Sequence, residues 1–311
     1  MTRSLRVAFL GNAAWSVPSL EAVVASAHAI VAVLTAPPKP AGRGNELRST
    51  PVADAARAAG LPIEEVETVA AGHGFKMLAA STPDVIAVVA YGEILLPNVL
   101  RLPTIAPVNV HFSLLPELRG ASPVQTALLL GLATTGVSTI VMDRGLDTGP
   151  VILQRRESIA PDDDGGTLGA RLARIGGALL VESLDLLAAG PVALRPQDHT
   201  LATFAPKFGP QDRVIDWANP ARVLVNLVRA LAPEPAATTT FRDAPVKILR
   251  AEAVAATGEP GMIVAVSHDG PIVATSDGGV RPLVVVPSGR RAMSGADLVN
   301  GLRLAVGERF G

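Results

Sequence analysis

The sequence has no cysteine, which excludes disulfides, thiolate metal ligands, redox dithiols and a Cys nucleophile together. Aromatic residues are scarce at 3%, too few for a broad platform on which single-stranded bases stack, so any RNA has to be held by shape and phosphate contacts. Neither sign of charge prevails. With 27 Lys and Arg against 28 Asp and Glu, a nucleic-acid partner needs a local basic patch rather than a global field. An unbroken apolar run of membrane-spanning length is also missing: Gly120–Met142 is uncharged, but Pro123, Gln125, Gly131 and Gly136 interrupt it, and it reads as a buried helix followed by a strand. The N-terminus imitates an export signal, with Arg3 and Arg6 ahead of an apolar stretch from Val7. Gly11, Asn12, Pro18 and Glu21 break that pattern, and a strand, a turn and an amphipathic helix account for the same letters. The expected compartment is the cytoplasm.

What is present is the alternation of short apolar runs with helical patterns. Val7–Leu10, Ile30–Leu34, Val85–Val89, Val108–Val110 and Val137–Met142 predict strands, and the segments between them predict crossover helices, so the N-terminal part is expected to be α/β with a Rossmann-like, mostly parallel sheet. Ser16 is placed to cap the first helix, ahead of Pro18. Gly11 is followed by Asn12, Ala13, Ala14 and Trp15 rather than a G-x-G-x-x-G, which argues against a dinucleotide site. Leu168, Leu172, Ile175, Leu179, Leu180 and Leu184 recur at helical spacing and predict a core-facing helix from Thr167 to about Ala189. From Lys207 the character changes to an apolar helix near Ala221–Leu231 and short strands at Val246–Leu249, Met262–Val266, Ile272–Ala274 and Pro282–Val286, the spacing of a small barrel or sandwich. The expected division is a first domain over 1–203, a linker at 204–210 and a second domain over 211–311.

The stretch that carries chemistry is Asn109-Val110-His111-Phe112-Ser113-Leu114-Leu115-Pro116, joined downstream by Asp143-Arg144-Gly145-Leu146-Asp147-Thr148-Gly149. Residues i and i+2 of a strand share a face, so Asn109 and His111 point the same way, and open parallel sheets bind ligands beyond the carboxyl ends of their strands. An amide donor, an imidazole and, if Asp147 comes within reach, a carboxylate form a set suited to acyl transfer to an amine. A satisfied turn at a strand end is the alternative reading of the same residues. Asp162-Asp163-Asp164 ahead of Gly165-Gly166-Thr167 suits helix entry better than a cation site. His28, His73, His199 and His268 lack ligand spacing, so no metal is expected.

Taken together, these motifs resemble the 10-formyltetrahydrofolate-dependent formyltransferases, in which an Asn-x-His strand precedes Ser-Leu-Leu-Pro and a Gly-Leu-Asp-Thr-Gly loop. Further landmarks extend the resemblance along the chain: Pro40-Ala41-Gly42-Arg43-Gly44, Val88-Val89-Ala90-Tyr91-Gly92, Arg119–Gln125, Ile215-Asp216-Trp217, Pro245-Val246-Lys247 and Ala292-Met293-Ser294. The chain departs from the family's pattern at Asn12–Trp15, Glu117 and Glu234. The resemblance is to the branch that acts on methionyl initiator tRNA, and it implies an enzyme of translation initiation, expected to be monomeric, with an OB-like β-barrel as the second domain contacting tRNA. It implies Asn109, His111 and Asp147 as catalytic, Ser113, Leu114, Leu115 and Pro116 together with Ala90, Tyr91 and Gly92 as contacts to 10-formyltetrahydrofolate, and Arg43 as a tRNA contact. A formyltransferase acting on a sugar amine, a formyl-folate hydrolase and a silent tRNA-binding protein remain as alternatives.

Overall fold

The computed structural model describes residues 3–41 and 46–311, so Arg43 lies outside the described residues. The chain divides into two units. The first comprises residues up to Pro123, Thr134–Ser158 and Gly169–Pro206; the second comprises Val124–Ala133, Ile159–Leu168 and Lys207–Gly311.

The first unit runs β1 (Arg6–Gly11), α1 (Val17–Val24), β2 (Ala29–Thr35), β3 (Lys39–Ala41), β4 (Glu46–Arg48), α2 (Pro51–Ala58), β5 (Ile63–Glu65), α3 (Gly72–Ala80), β6 (Val85–Val89), α4 (Pro97–Leu100) and β7 (Ala106–His111). Helix α5 (Pro123–Leu129) leads to β8 (Thr134–Val141) and β9 (Val151–Ser158), and the long α6 (Gly165–Ala189) follows. Seven strands form one sheet in the order β5-β2-β1-β6-β7-β8-β9. Pairing is parallel from β5 to β7 and antiparallel at β7–β8 and β8–β9. Val7, Ala8, Phe9 and Leu10 are fully buried. An unbroken apolar run of this kind suits a strand covered on both faces, which is why it takes a central place. The chain builds outward from β1 through β2 to β5 and then returns to the other side of β1 at β6, so strand order reverses between β1 and β6. In open α/β sheets that reversal leaves a crevice at the carboxyl edge.

Local chemistry differs from expectation at Ser16. Its hydroxyl makes no cap to α1 and instead donates to the Val89 carbonyl at 2.6 Å, tying the turn after β1 to the end of β6. Thr50 does cap its helix: its hydroxyl accepts from the Ala53 amide at 3.0 Å, with Pro51 at the first helical position. Between β2 and α2 the chain forms the short antiparallel pair β3–β4.

In the second unit, the acidic run at 162–164 is the entry to α6. Asp164 Oδ1 accepts the Thr167 amide at 2.8 Å and Thr167 Oγ1 accepts the Asp164 amide at 2.9 Å, a reciprocal cap. Helix α7 (Ala221–Leu231) is followed by β10 (Ala237–Phe241), β11 (Ala244–Val254), β12 (Ile263–Ser267), β13 (Gly270–Ala274), β14 (Gly279–Pro287), β15 (Met293–Ser294) and α8 (Gly295–Leu302). The strands form an antiparallel sheet in the order β10-β11-β14-β13-β12, with β15 on β14. Its core gathers Trp217, Phe241 and Phe310, whose ring centroids lie 5.0 to 5.9 Å apart in successive pairs. The last residues bond to both outer strands. The Ile263 amide of β12 donates to Glu308 O at 2.7 Å, and Thr240 of β10 exchanges two backbone hydrogen bonds with Gly311 at 3.0 and 3.1 Å. Among the described residues no helix is long and apolar enough to cross a membrane, and no three His, Cys, Asp or Glu side chains are grouped to hold a metal ion.

Candidate active site

A cavity of about 470 Å³ opens beside the carboxyl ends of β6 and β7, within the 300–1,000 Å³ range typical of small-ligand sites. The period of two along β7 puts Asn109 and His111 on its wall, and the segment after β8 brings Asp147 opposite them. The three residues meet. Asn109 Nδ2 donates to Asp147 Oδ1 at 3.3 Å, and His111 Nδ1 stands 3.6 Å from Asp147 Oδ2. The same Oδ2 accepts the Gly120 amide at 2.8 Å.

His111 is buried, and its Nε2 lies 2.9 Å from the Leu118 carbonyl. A carbonyl can only accept, so Nε2 carries a proton and Nδ1 is the nitrogen left to exchange one with Asp147 or a ligand. Asp147 adopts a left-handed backbone, φ +53°, which a side chain other than glycine reaches only at a cost. The turns flanking it are fixed locally: Asp143 Oδ1 accepts from the Gly145 amide at 2.9 Å and from Thr148 Oγ1 at 2.5 Å.

The other end of the cavity is lined mainly by apolar groups. Ala90, Tyr91 and Gly92, expected to contact the folate, line it, followed by Glu93, Ile94 and Leu95. Ala90 and Gly92 both take positive φ, so the chain turns sharply as it leaves β6. Asn12, the first residue of the departure from the family's pattern, stitches this turn to its neighbours. Its amide donates to the Tyr91 carbonyl, while its Oδ1 accepts from Thr35 Oγ1 at 2.9 Å and the Ala36 amide at 2.7 Å. Burial, reinforced by the Glu93 carboxylate, pushes the Tyr91 phenol above its usual range, so it stays a protonated donor at neutral pH. Glu93 is itself held by the Thr68 hydroxyl and the Val69 amide.

Ser113, Leu114, Leu115 and Pro116, expected to contact the folate, do not line the cavity. They fold back on β8 and β9. Ser113 donates to the Glu117 carbonyl at 2.6 Å, Ser138 Oγ donates to the Ser113 carbonyl at 2.7 Å, and Leu115 packs with Ile140 and Val151. Their hydrogen bonds are internal, so what they fix is the turn that follows His111.

Sequence reasoning passed over Trp15, which also lines the cavity and sets its edge against Phe112 at 6.0 Å and 85°. Its place depends on Gly169, one turn into the leucine-striped helix. A Cβ there would lie 2.2 Å from the Trp15 ring, so the glycine leaves space for the indole. Arg144 and Gly120, neither of them singled out by sequence as site residues, line the cavity as well.

Comparison with known proteins bears on this geometry. The profile described as "Formyl transferase" matches residues 5–184, and that described as "Formyl transferase, C-terminal domain" matches residues 207–303. A methionyl-tRNA formyltransferase of Roseiflexus sp. (strain RS-1) is 44% identical over 99% of this chain and 95% of its own. One from Acidithiobacillus ferrooxidans (strain ATCC 53993 / BNL-5-31) is 40% identical, with full coverage of both chains. Among solved structures, HypX from Aquifex aeolicus in complex with tetrahydrofolic acid is similar in fold, with a TM-score of 0.64 and 15% identity over 98% of this chain and 49% of that one.

Proposed function

Because the chain belongs to the formyl transferase family, in its methionyl-tRNA formyltransferase branch, we propose that the cavity beside β7 is where it formylates methionyl initiator tRNA. The carrying observation is the convergence of Asn109, His111 and Asp147 at the polar end of a cavity whose other end is apolar. The co-substrate is a folate, and we take it to be 10-formyltetrahydrofolate. Its flat ring system suits the apolar end between Trp15 and the Ala90–Leu95 turn, which leaves its formyl group toward the polar end.

The residues then divide the work. The methionyl α-amine attacks the formyl carbon, the carbonyl oxygen gains negative charge, and the bond from that carbon to the folate nitrogen breaks. Asn109 Nδ2 and a protonated His111 Nδ1 donate to the oxygen as charge builds, and these contacts strengthen in the transition state. One proton leaves the amine and one arrives on the departing nitrogen, so Asp147 need only pass it across. Ser113–Pro116 support this arrangement by holding the turn beyond His111. Catalysis is assigned to residues 1–203, with 204–210 as linker and 211–311 as the tRNA-contacting domain. The hydrogen bonds from the tail to β10 and β12 support reading that domain's sheet as curled toward an OB-like barrel. Arg43 is assigned to the RNA through phosphate contact, and we expect the protein to work as a monomer in the cytoplasm.

The test is formyl transfer from 10-formyltetrahydrofolate to purified methionyl initiator tRNA, beside uncharged tRNA, a sugar amine and a no-acceptor control. Product with charged initiator tRNA alone supports the proposal. Transfer to the sugar amine or to water keeps the catalytic cavity and overturns the tRNA assignments, and tRNA binding without any turnover overturns the catalytic reading.

A further inference from the structure

Gln197 lies on the extended segment after α6, between exposed Pro196 and Asp198, yet it is itself buried. A buried amide has to be fully bonded to be tolerated, and this one is. Its Nε2 donates to the carbonyls of Asp147 at 2.8 Å and Gly149 at 2.6 Å. Its Oε1 accepts from Arg119 Nε at 3.2 Å and Arg119 Nη2 at 2.6 Å. The partners fix the orientation of the amide, because two carbonyls can only accept and a guanidinium can only donate.

These four bonds bear on Asp147 from two directions. On one side Gln197 grips the carbonyls of Asp147 and Gly149, bracketing the left-handed backbone at Asp147. Gly149 adds to the constraint, since a Cβ there would fall 1.8 Å from the Val141 carbonyl oxygen. On the other side Gln197 anchors buried Arg119, whose next residue, Gly120, donates its amide to Asp147 Oδ2 at 2.8 Å. The backbone of Arg119 is held in register by Thr203 and Ala205, at 2.9 and 2.7 Å. Side chain and main chain of Asp147 are therefore both referred to one glutamine 50 residues downstream.

We propose that Gln197 is a positioning residue for Asp147, a clamp that holds both the strained backbone of Asp147 and the Gly120 amide against its carboxylate. The inference rests on the proposed reaction for its effect on rate, since it is Asp147 that passes the proton there. The clamp itself is read without turnover. Gln197→Met keeps the volume and removes every hydrogen bond. Gln197→Glu keeps the shape and the Arg119 partner but sets a carboxylate oxygen against the two carbonyls.

The experiment compares both variants with the wild type for kcat, for KM toward methionyl-tRNA and the folate, for Tm, and for hydrogen exchange at the Gly120 amide. Expected are a kcat lowered at least tenfold with both KM values within about twofold, Gly120 exchange faster by tenfold or more, and a partial return of Gln197→Glu activity at low pH, where a protonated carboxyl can donate again. Wild-type kcat in both variants, or Gly120 exchange unchanged in Gln197→Met, overturns the clamp. If the wild type transfers no formyl group, the reaction falls rather than the clamp. Gly120 exchange then decides alone: faster in Gln197→Met supports the clamp, unchanged overturns it.

Discussion

At the level of single residues, two carboxylates of the first unit, half-buried Asp147 and buried Asp84, contrast in their use. Asp147 is surrounded by donors that can shift between it and a ligand, namely Asn109, His111 and the Gly120 amide. Asn109→Ala, His111→Ala and Asp147→Asn are each expected to lower kcat by ~100-fold or more, the range for loss of an oxyanion donor or an acid–base group, with Tm near the wild-type value. Steady-state kinetics beside thermal denaturation checks this, and a variant that retains wild-type kcat removes its residue from the mechanism. Asp84, at the start of β6, has only permanent partners. Its Oδ2 accepts the Arg6 amide at 3.0 Å, and its Oδ1 accepts from Thr104 Oγ1 and Arg3 Nη2, both at 2.8 Å. Burial pushes its carboxyl upward, but the Arg6 amide, the Thr104 hydroxyl and the Arg3 charge outweigh burial and hold it below the ordinary 3.8. A depressed carboxylate stabilises the folded state above its unfolded value, and the contribution drains away as pH falls through the folded one. Asp84→Asn should therefore cost about 1–3 kcal/mol at pH 7. The gap to wild type should close below about pH 4. Urea midpoints measured across pH decide it, and a gap that stays constant with pH rules out the charged form as the source.

At the level of elements, α6 shows what a hydrophobic stripe conveys and what it leaves out. The leucine spacing predicted the helix, and Leu168, Leu172, Leu179, Leu180 and Leu184 are all buried. The stripe says nothing about how near the helix approaches its neighbours, which its glycines decide. A Cβ at Gly169 would meet Trp15 at 2.2 Å, one at Gly176 would meet Val110 at 2.9 Å, and one at Gly177 would meet the Pro18 carbonyl at 2.7 Å. Gly→Ala inside a helix ordinarily stabilises by about 1 kcal/mol. Here Gly169→Ala should instead destabilise by about 1–3 kcal/mol, because the indole must leave its place against Phe112. Urea denaturation gives the sign, tryptophan emission reports the ring, and a more stable variant with unchanged emission shows that the ring is free to give way. The site was legible on the same terms. Asn109 and His111 were readable because a period of two is a local property of one strand. Asp147 came through its motif, since nothing local announces that a loop after β8 folds onto β7. Gln197 was silent because its partners lie 48 to 78 residues away along the chain. Strand β10 was missed because its three threonines carry no apolar alternation, and the internal bonding of Ser113–Pro116 was silent because a motif records recurrence without saying which way a side chain turns.

At the level of the whole molecule, length and the change of pattern near Lys207 pointed to two domains, but contiguous spans on paper could not anticipate that Val124–Ala133 and Ile159–Leu168 group with the C-terminal residues. Those segments read as parts of α5 and α6, and periodicity carries no label for the core that a helical turn joins. In the second unit the last four residues supply backbone partners to the strands at both ends of the sheet, and Phe310 enters its core. An uncovered strand edge is a template for another chain, and proteins usually blunt it with charge, proline or a bulge. Here a short run of main chain does that work. Removing residues 308–311 should open two such edges at once and give scattering that grows with protein concentration, whereas Phe310→Ala should lose stability and remain dispersed. The feature that completes the sheet is thus also what keeps one copy of the protein from being extended by the next.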